Sequence, residues 1–228
     1  MKRKIYLSYV IIGLTVGVYL LQNLSDALLG YDLPVYLGSK INPLILRGQL
    51  WRLITPVLLH GSILHIGFNM YALFSLGPSL ERKYGILPFI ALYLIGGLWG
   101  NTLSFLLSPS PSLGASTAIF GLIAAQGVYI FKNRHLLGSA ARPMLMNIVM
   151  VVLVNLMLGL SPGIDNWGHS GGLLGGFFFA WFAGPSFDIV ENLFGQSVVV
   201  RDDKKPKLII AAGIAIAIAV VLLRMFLF

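Results

Sequence analysis

The sequence predicts an all-α polytopic membrane protein, and three observations carry that expectation. Of 228 residues, 57% are hydrophobic and 11% charged, against about 25% charged in ordinary soluble domains. Mean hydropathy is +0.85. The apolar residues fall into seven runs, most of them near the ~20 residues that a bilayer crossing requires. Lysine and arginine collect in alternate connections, as membrane topology demands. The net charge of +8 therefore reads as topology rather than nucleic-acid binding. Cysteine is absent, which excludes disulfides, thiolate nucleophiles and cysteine-based metal sites.

The first run, near 6–24, follows Lys2, Arg3 and Lys4 and lacks a small-residue cleavage site. A retained helix is expected rather than a signal peptide. Further spans are expected near 56–78, 86–107, 115–131, 142–160, 166–184 and 208–228. With the N-terminus placed in the cytoplasm, twelve basic residues lie inside: Lys2, Arg3, Lys4, Arg82, Lys83, Lys132, Arg134, Arg142, Arg201, Lys204, Lys205 and Lys207. Lys40, Arg47 and Arg52 stay outside, and Arg224 is expected to snorkel to the outer interface. The orientation is N-inside and C-outside. The connection at about 25–55 is long and carries Leu28, Tyr36, Ile41, Ile45 and Trp51; a loop so apolar is expected in the membrane interface. Residues 1–184 then form a six-span core, 185–207 a cytoplasmic linker with solvated charges, and 208–228 a seventh span that packs or anchors.

Spans two, four and six run in the same direction, so their N-terminal ends share one leaflet. Those ends hold His65 and Asn69, then Ser116, then His169. Ionisable residues inside a membrane are functional candidates. Ser116 follows Ser108-Pro109-Ser110-Pro111-Ser112, which breaks the chain so that a helix begins there. A lone serine there reads best as a helix cap. The positive end of the helix dipole and its unpaired N–H groups could meet an oxyanion instead. His169 supplies the base that activates a serine. Asp165 lies nearer the surface and reads as a solvated cap, so a Ser–His dyad is expected. His169, Gly172 and Gly176 share one helical face; Thr117, Gly121 and Ala125 form a small-residue face on span four. Such faces let membrane helices approach closely. Phe120, one turn after Ser116, is placed either to stack on His169 or to serve as an ordinary lipid-facing or core residue. His65 and Asn69, one turn apart on span two, suit an oxyanion site or interhelical hydrogen bonding, as Asn101, Asn147 and Asn155 do. His60 is placed nearer the surface, holding the loop. The chain has no His-Glu-x-x-His and no ligand-spacing motif, so neither metal nor cofactor is expected.

These motifs together resemble the rhomboid family of intramembrane serine proteases. The resemblance runs from Trp51-Arg52 through His60-x4-His65-x3-Asn69, Gly77-x3-Glu81-x3-Gly85 and Gly114-x-Ser116 to His169-x2-Gly172-x3-Gly176. It implies a six-helix core with a seventh, C-terminal helix. It implies Ser116 as nucleophile and His169 as base, with His65, Asn69 and the Ser116 amide as oxyanion hole. It further implies transmembrane proteins as substrates, cut near the helix top toward the outer leaflet. The short loops and the missing transit-like segment lead to the expectation of a multi-pass protein of a bacterial inner membrane, with an organelle membrane as the other setting. Two positions depart from the family's usual residues: Thr117 replaces a glycine and Gly168 an alanine. An inactive member that binds membrane helices is the alternative. A small-solute transporter fits less well, because the spans carry few charges and no inverted repeat.

Overall fold

In the computed structural model, described for residues 6–191, 197–202, 210, 212–214, 216–218, 220, 221 and 224, the chain is a helical bundle. Its long helices are α1 (Leu7–Leu29), α4 (Ile63–Tyr84), α5 (Ile86–Leu107), α6 (Ser116–Lys132), α8 (Ala141–Leu158) and α9 (Asn166–Ala183). Between α1 and α4 the chain forms α2 (Leu33–Gly38), α3 (Asn42–Leu46) and two 3-10 turns, Leu50–Leu53 and Thr55–Leu58; α7 (Arg134–Leu137) precedes α8. Leu7–Leu29, Ile86–Leu107 and Arg134–Leu158 are long and apolar enough to cross a membrane by length and composition.

Helix α1 is turned inside out relative to a helix of a soluble protein. On α1 the buried residues are Ser8, Thr15 and Gln22, two turns apart, while Leu14, Leu20 and Leu21 point outward. Lipid removes the hydrophobic drive between helices, so small and polar groups make the contacts. At the α1–α4 crossing, Gly77 admits Ser8: a Cβ on Gly77 would lie 2.5 Å from the Ser8 Cβ. One turn further on, the Glu81 carboxylate accepts the Ser8 backbone N–H at 3.1 Å. That N–H belongs to the first turn of α1 and has no partner within the helix, so a buried carboxylate meets the positive end of a helix dipole. Gly85, with φ +90°, then reverses the chain into α5.

Three expectations change. Span two begins at Ile63, not near 56, because Pro56 sits in a 3-10 turn and Leu59 is extended; Ser62 then caps α4 by accepting the His65 N–H at 3.1 Å. Part of the expected linker is an antiparallel hairpin, β1 (Ser186–Glu191) with β2 (Ser197–Asp202), in register from Ser186 opposite Asp202 to Glu191 opposite Ser197. It is tied to the helix ends: Phe187 N–H donates to Asn133 Oδ1 at 2.9 Å. Arg224 is held where α5 ends: its guanidinium donates to the Leu106 carbonyl and lies 4.9 Å over the Phe105 ring. Asn155 bonds its own helix, donating to Val151 O at 2.8 Å, whereas Asn101 reaches the first connection at Leu53 O, 3.0 Å away. The seventh span falls partly outside the described residues; Ala217 and Val221 pack with Ile45, Leu53, Leu98 and Phe105.

The first connection folds against the bundle through Arg52. This guanidinium, 2% exposed, donates to Gln49 Oε1 at 2.7 Å, Ser39 O at 2.8 Å and Tyr36 O at 2.9 Å. Three donor sites are met by three acceptors in the fork geometry peculiar to arginine.

Candidate active site

Among the described residues helices α5, α6 and α9 pack most closely, because glycines on one helix meet the backbone of the next. A Cβ on Gly172 would lie 2.0 Å from Thr117 O, one on Gly176 2.1 Å from Gly121 O, and one on Gly121 2.9 Å from the Gly96 Cα. Backbones touch there without side chains between them. This brings the heads of α6 and α9 together, and with them Ser116 and His169.

Ser116 opens α6. The preceding Gly114 has φ +130°, and its N–H donates to Pro56 O at 2.9 Å. A Cβ there would lie 2.7 Å from His65 Nε2, so only glycine lets the imidazole lie against the backbone ahead of Ser116. The N-cap position belongs to Ala115, with no side-chain cap. The Ser116 hydroxyl is 3.0 Å from His169 Nε2. Phe120, one turn along α6, stacks on the imidazole with centroids 4.2 Å apart and planes 11° from parallel. His169 is buried, and its Nδ1 has no hydrogen-bond partner among the described residues. The ring is therefore held by stacking and by Ser116, and among the described residues no carboxylate hydrogen-bonds it from behind.

Asp165 caps α9: Oδ1 accepts the Gly168 N–H at 2.9 Å. Its other oxygen, Oδ2, is not solvated as expected but accepts the Ser104 hydroxyl of α5. Asn69 is buried, and its Nδ2 donates to His65 O one turn back at 3.0 Å. One of its amide N–H groups is thus used within α4, leaving one for a ligand. His60 is enclosed by protein, 1% exposed. Its Nε2 accepts the Ala115 N–H at 3.4 Å, and its ring meets His65 edge-on at 4.9 Å.

The peptide of His60 is clasped by a residue the sequence reading missed. Gln22 Nε2 donates to His60 O at 3.0 Å and to Asp32 Oδ2 at 2.8 Å, and its Oε1 accepts the His60 N–H at 3.1 Å. A glutamine within an apolar span, seven residues after Thr15, was the signal available.

Thr117 and Gly168, the two departures from the family's usual residues, meet in space. A Cβ on Gly168 would lie 3.1 Å from Thr117 Cγ2 and 2.9 Å from Asp165 Oδ2. The threonine methyl approaches the space where the alanine methyl would stand. Its Cβ packs over Gly100 of α5, where an added Cβ would come within 2.5 Å. The Thr117 side chain therefore lies between α5 and the head of α9, while one turn along α9 it is the Thr117 carbonyl that meets Gly172. Gly168→Ala is expected to destabilise the protein by about 1–3 kcal/mol through overpacking, and Thr117→Gly in the same chain to recover part of it. Thermal unfolding in detergent of the two single variants and the pair measures this.

The fold and this pair define a class: helical membrane proteins that bury a serine–histidine pair among helix N-termini. The model of the rhomboid domain matches residues 47–186, which include every residue of that pair and its surroundings on α4, α6 and α9. Rhomboid protease GluP of Bacillus subtilis is 40% identical over 174 residues, covering 76% of this chain and 34% of that protein. Rhomboid-like protease 1 of Toxoplasma gondii is 43% identical over 148 residues, covering 63% and 50%. RHOMBOID-like protein 9, chloroplastic, of Arabidopsis thaliana is 35% identical over 155 residues, covering 68% and 36%. The chain belongs to the rhomboid family. It is an integral membrane protein that spans between a third and a half of the length of these relatives.

Proposed function

We propose that this chain is a serine endopeptidase that cuts membrane-spanning proteins inside the bilayer, with Ser116 as nucleophile and His169 as base. The observation that carries the proposal is the 3.0 Å approach of Ser116 Oγ to His169 Nε2. A neutral imidazole protonated at Nδ1 accepts the serine proton at Nε2 as Oγ attacks the scissile carbonyl. The negative charge then developing on the carbonyl oxygen is met by the Ser116 N–H at the positive end of α6, by His65 and by the remaining Asn69 N–H. His169 returns the proton to the leaving amine. Water, activated by the same imidazole, hydrolyses the acyl-enzyme. The substrate must be unwound where it is cut, so the site must be wet although its depth is apolar.

The N-terminus is placed in the cytoplasm on the bias of basic residues, which sets the Ser116 end toward the outer leaflet. Lys132, whose Nζ donates to Gly184 O at 2.9 Å, marks the opposite end of α6. A bacterial plasma membrane is the proposed setting, and single-span proteins the simplest substrates.

Reconstitution into liposomes with a single-span substrate tests the proposal. Cleavage and labelling by a fluorophosphonate are expected in the native protein and in neither case with Ser116→Ala. Cleavage that persists in Ser116→Ala overturns the mechanism. Binding of the substrate without cleavage by the native protein would favour the inactive, helix-binding alternative.

A further inference from the structure

The connection at 108–114, which carries the chain into Ser116, has no secondary structure beyond one bridge, yet it must hold Ser116 to a fraction of an ångström. Its anchor is a buried lysine. Lys40, between α2 and α3, has 0% exposure. Its Nζ donates to Ser104 O at 3.3 Å, Ser108 O at 2.9 Å and Ser110 O at 2.8 Å. An ammonium has three N–H groups, and all three are used. The backbone of the same residue exchanges both bonds with Ser112: Lys40 N–H to Ser112 O at 2.9 Å and Ser112 N–H to Lys40 O at 3.1 Å.

The placement follows from the end of α5. The last carbonyls of a helix lack internal partners and carry the negative end of its dipole. Here side chains reach three of the last four, and Ser104 O also accepts the Ser108 N–H at 2.8 Å. Lys40 takes Ser104 O, Asn42 Nδ2 takes Phe105 O at 3.1 Å and also Ser108 O at 3.0 Å, and Arg224 takes Leu106 O. Ser104 also reaches the other half of the site, because its hydroxyl donates to Asp165. Asp165 caps α9 through Gly168, and its backbone carbonyl accepts the His169 N–H at 3.0 Å.

We infer that Lys40 is a positioning residue. Its ammonium ties the connection that presents Ser116 to Ser104, the same residue that anchors the cap of the His169 helix, and so sets how closely the serine approaches the imidazole. The inference rests on the dyad proposed above.

The charged groups facing Lys40 are Asp165 at the head of α9 and Arg224 of the last segment. The α5–α6 connection offers only carbonyls and hydroxyls. Burial pushes the Lys40 amine down to about 8, against the raising effect of Asp165 and with the lowering effect of Arg224. Loss of the proton turns one of the three donors into a lone pair aimed at a carbonyl, so the clasp is made below that pH and slackens above it.

The test measures the second-order rate of Ser116 labelling by a small fluorophosphonate, and kcat and KM for a single-span substrate, in native protein, Lys40→Met and Lys40→Arg. Lys40→Met is expected to label about tenfold more slowly at neutral pH, with kcat reduced and KM held within about twofold, since small misplacements of reacting groups act on the chemical step. The native rate is expected to fall as pH passes above about 8. That fall is expected to be absent in Lys40→Arg, whose guanidinium keeps its charge. Native-rate labelling of Lys40→Met, a change confined to KM, or an alkaline fall unchanged in Lys40→Arg overturns the inference. If Lys40→Met does not fold, Asn42→Ala removes two hydrogen bonds from the same clasp without touching a charge. It is expected to label about threefold more slowly, and an unchanged rate overturns the inference. Persistent cleavage by Ser116→Ala is the separate result that removes the dyad itself.

Discussion

Ser116→Ala, His169→Ala and the variant carrying both are expected to lose turnover by one common factor, about a thousandfold or more, rather than by a product of two factors. The reason is geometric. The serine hydroxyl has the imidazole as its base at 3.0 Å, and among the described residues no carboxylate backs His169 Nδ1. Removing the base leaves a hydroxyl that is not a nucleophile at neutral pH, and removing the hydroxyl leaves a base with nothing to activate. Either loss removes the whole covalent route, so the second adds nothing. A factor of a thousand corresponds to about 4 kcal/mol of transition-state stabilisation. His65→Ala should behave differently. It removes one candidate oxyanion donor and keeps the nucleophile, so a loss of about 10²–10³ in kcat with labelling retained is expected. Single-turnover cleavage in liposomes, with unfolding temperatures to confirm folding, measures all four variants. Losses that multiply between Ser116→Ala and His169→Ala would show that the two side chains act separately.

Gly172→Ala is expected to cost about 3 kcal/mol or more and to abolish labelling of Ser116. Overpacking usually costs about 1–3 kcal/mol because side chains shift out of the way. Here the added methyl meets the Thr117 carbonyl oxygen at 2.0 Å, and backbone inside a helix cannot step aside. Helices α6 and α9 must separate instead. A separation of about 1 Å at the site is enough to cost about a hundredfold in rate, so activity disappears before the fold does. Gly176→Ala, with Gly121 O at 2.1 Å, should act alike. Gly13→Ala and Gly17→Ala are the controls: nothing lies within 4 Å of a Cβ at either position, and alanine favours the helix. Unfolding in detergent and fluorophosphonate labelling of these four variants separate close helix approach from general intolerance of glycine replacement.

Much of this architecture was legible along the chain. The run expected at 86–107 coincides with α5, because hydrophobicity over a span's length is a local property and Gly85 and Ser108 punctuate it. The start of span two was misplaced because hydrophobicity does not distinguish a 3-10 turn at Thr55–Leu58 from the first turn of a helix. Pro56 and Gly61 were the available signs, and the shift moves His60 off the helix and under Ala115. The hairpin at 186–202 was hidden by the charges beside it. Ile189 and Val190, and then Val198, Val199 and Val200, are the β-branched clusters that announce strands.

Lys40 was read as one more outside cation, since counting charges by side says nothing about which of them is buried. A lone lysine in an apolar connection, two residues before Asn42, becomes meaningful only when the carbonyls at and just past the end of α5 are seen to converge on it. Asp165 is a similar case: as a cap it could be read from its place before α9, but its bond to Ser104 joins residues 61 positions apart.

By itself the sequence determined the residue types, their order and the shared direction of the three spans that carry them, because those follow from composition, periodicity and the parity of membrane crossings. Only the tertiary structure decided that Ser116 comes within 3.0 Å of His169, that the Thr117 side chain lies between Gly100 of α5 and Gly168 of α9, and that Lys40 is enclosed. Each of these is a distance between segments far apart in the chain. Such distances are set by how closely glycine-faced backbones pack and by where helix ends leave carbonyls unpaired, and neither is a property of any one stretch of sequence.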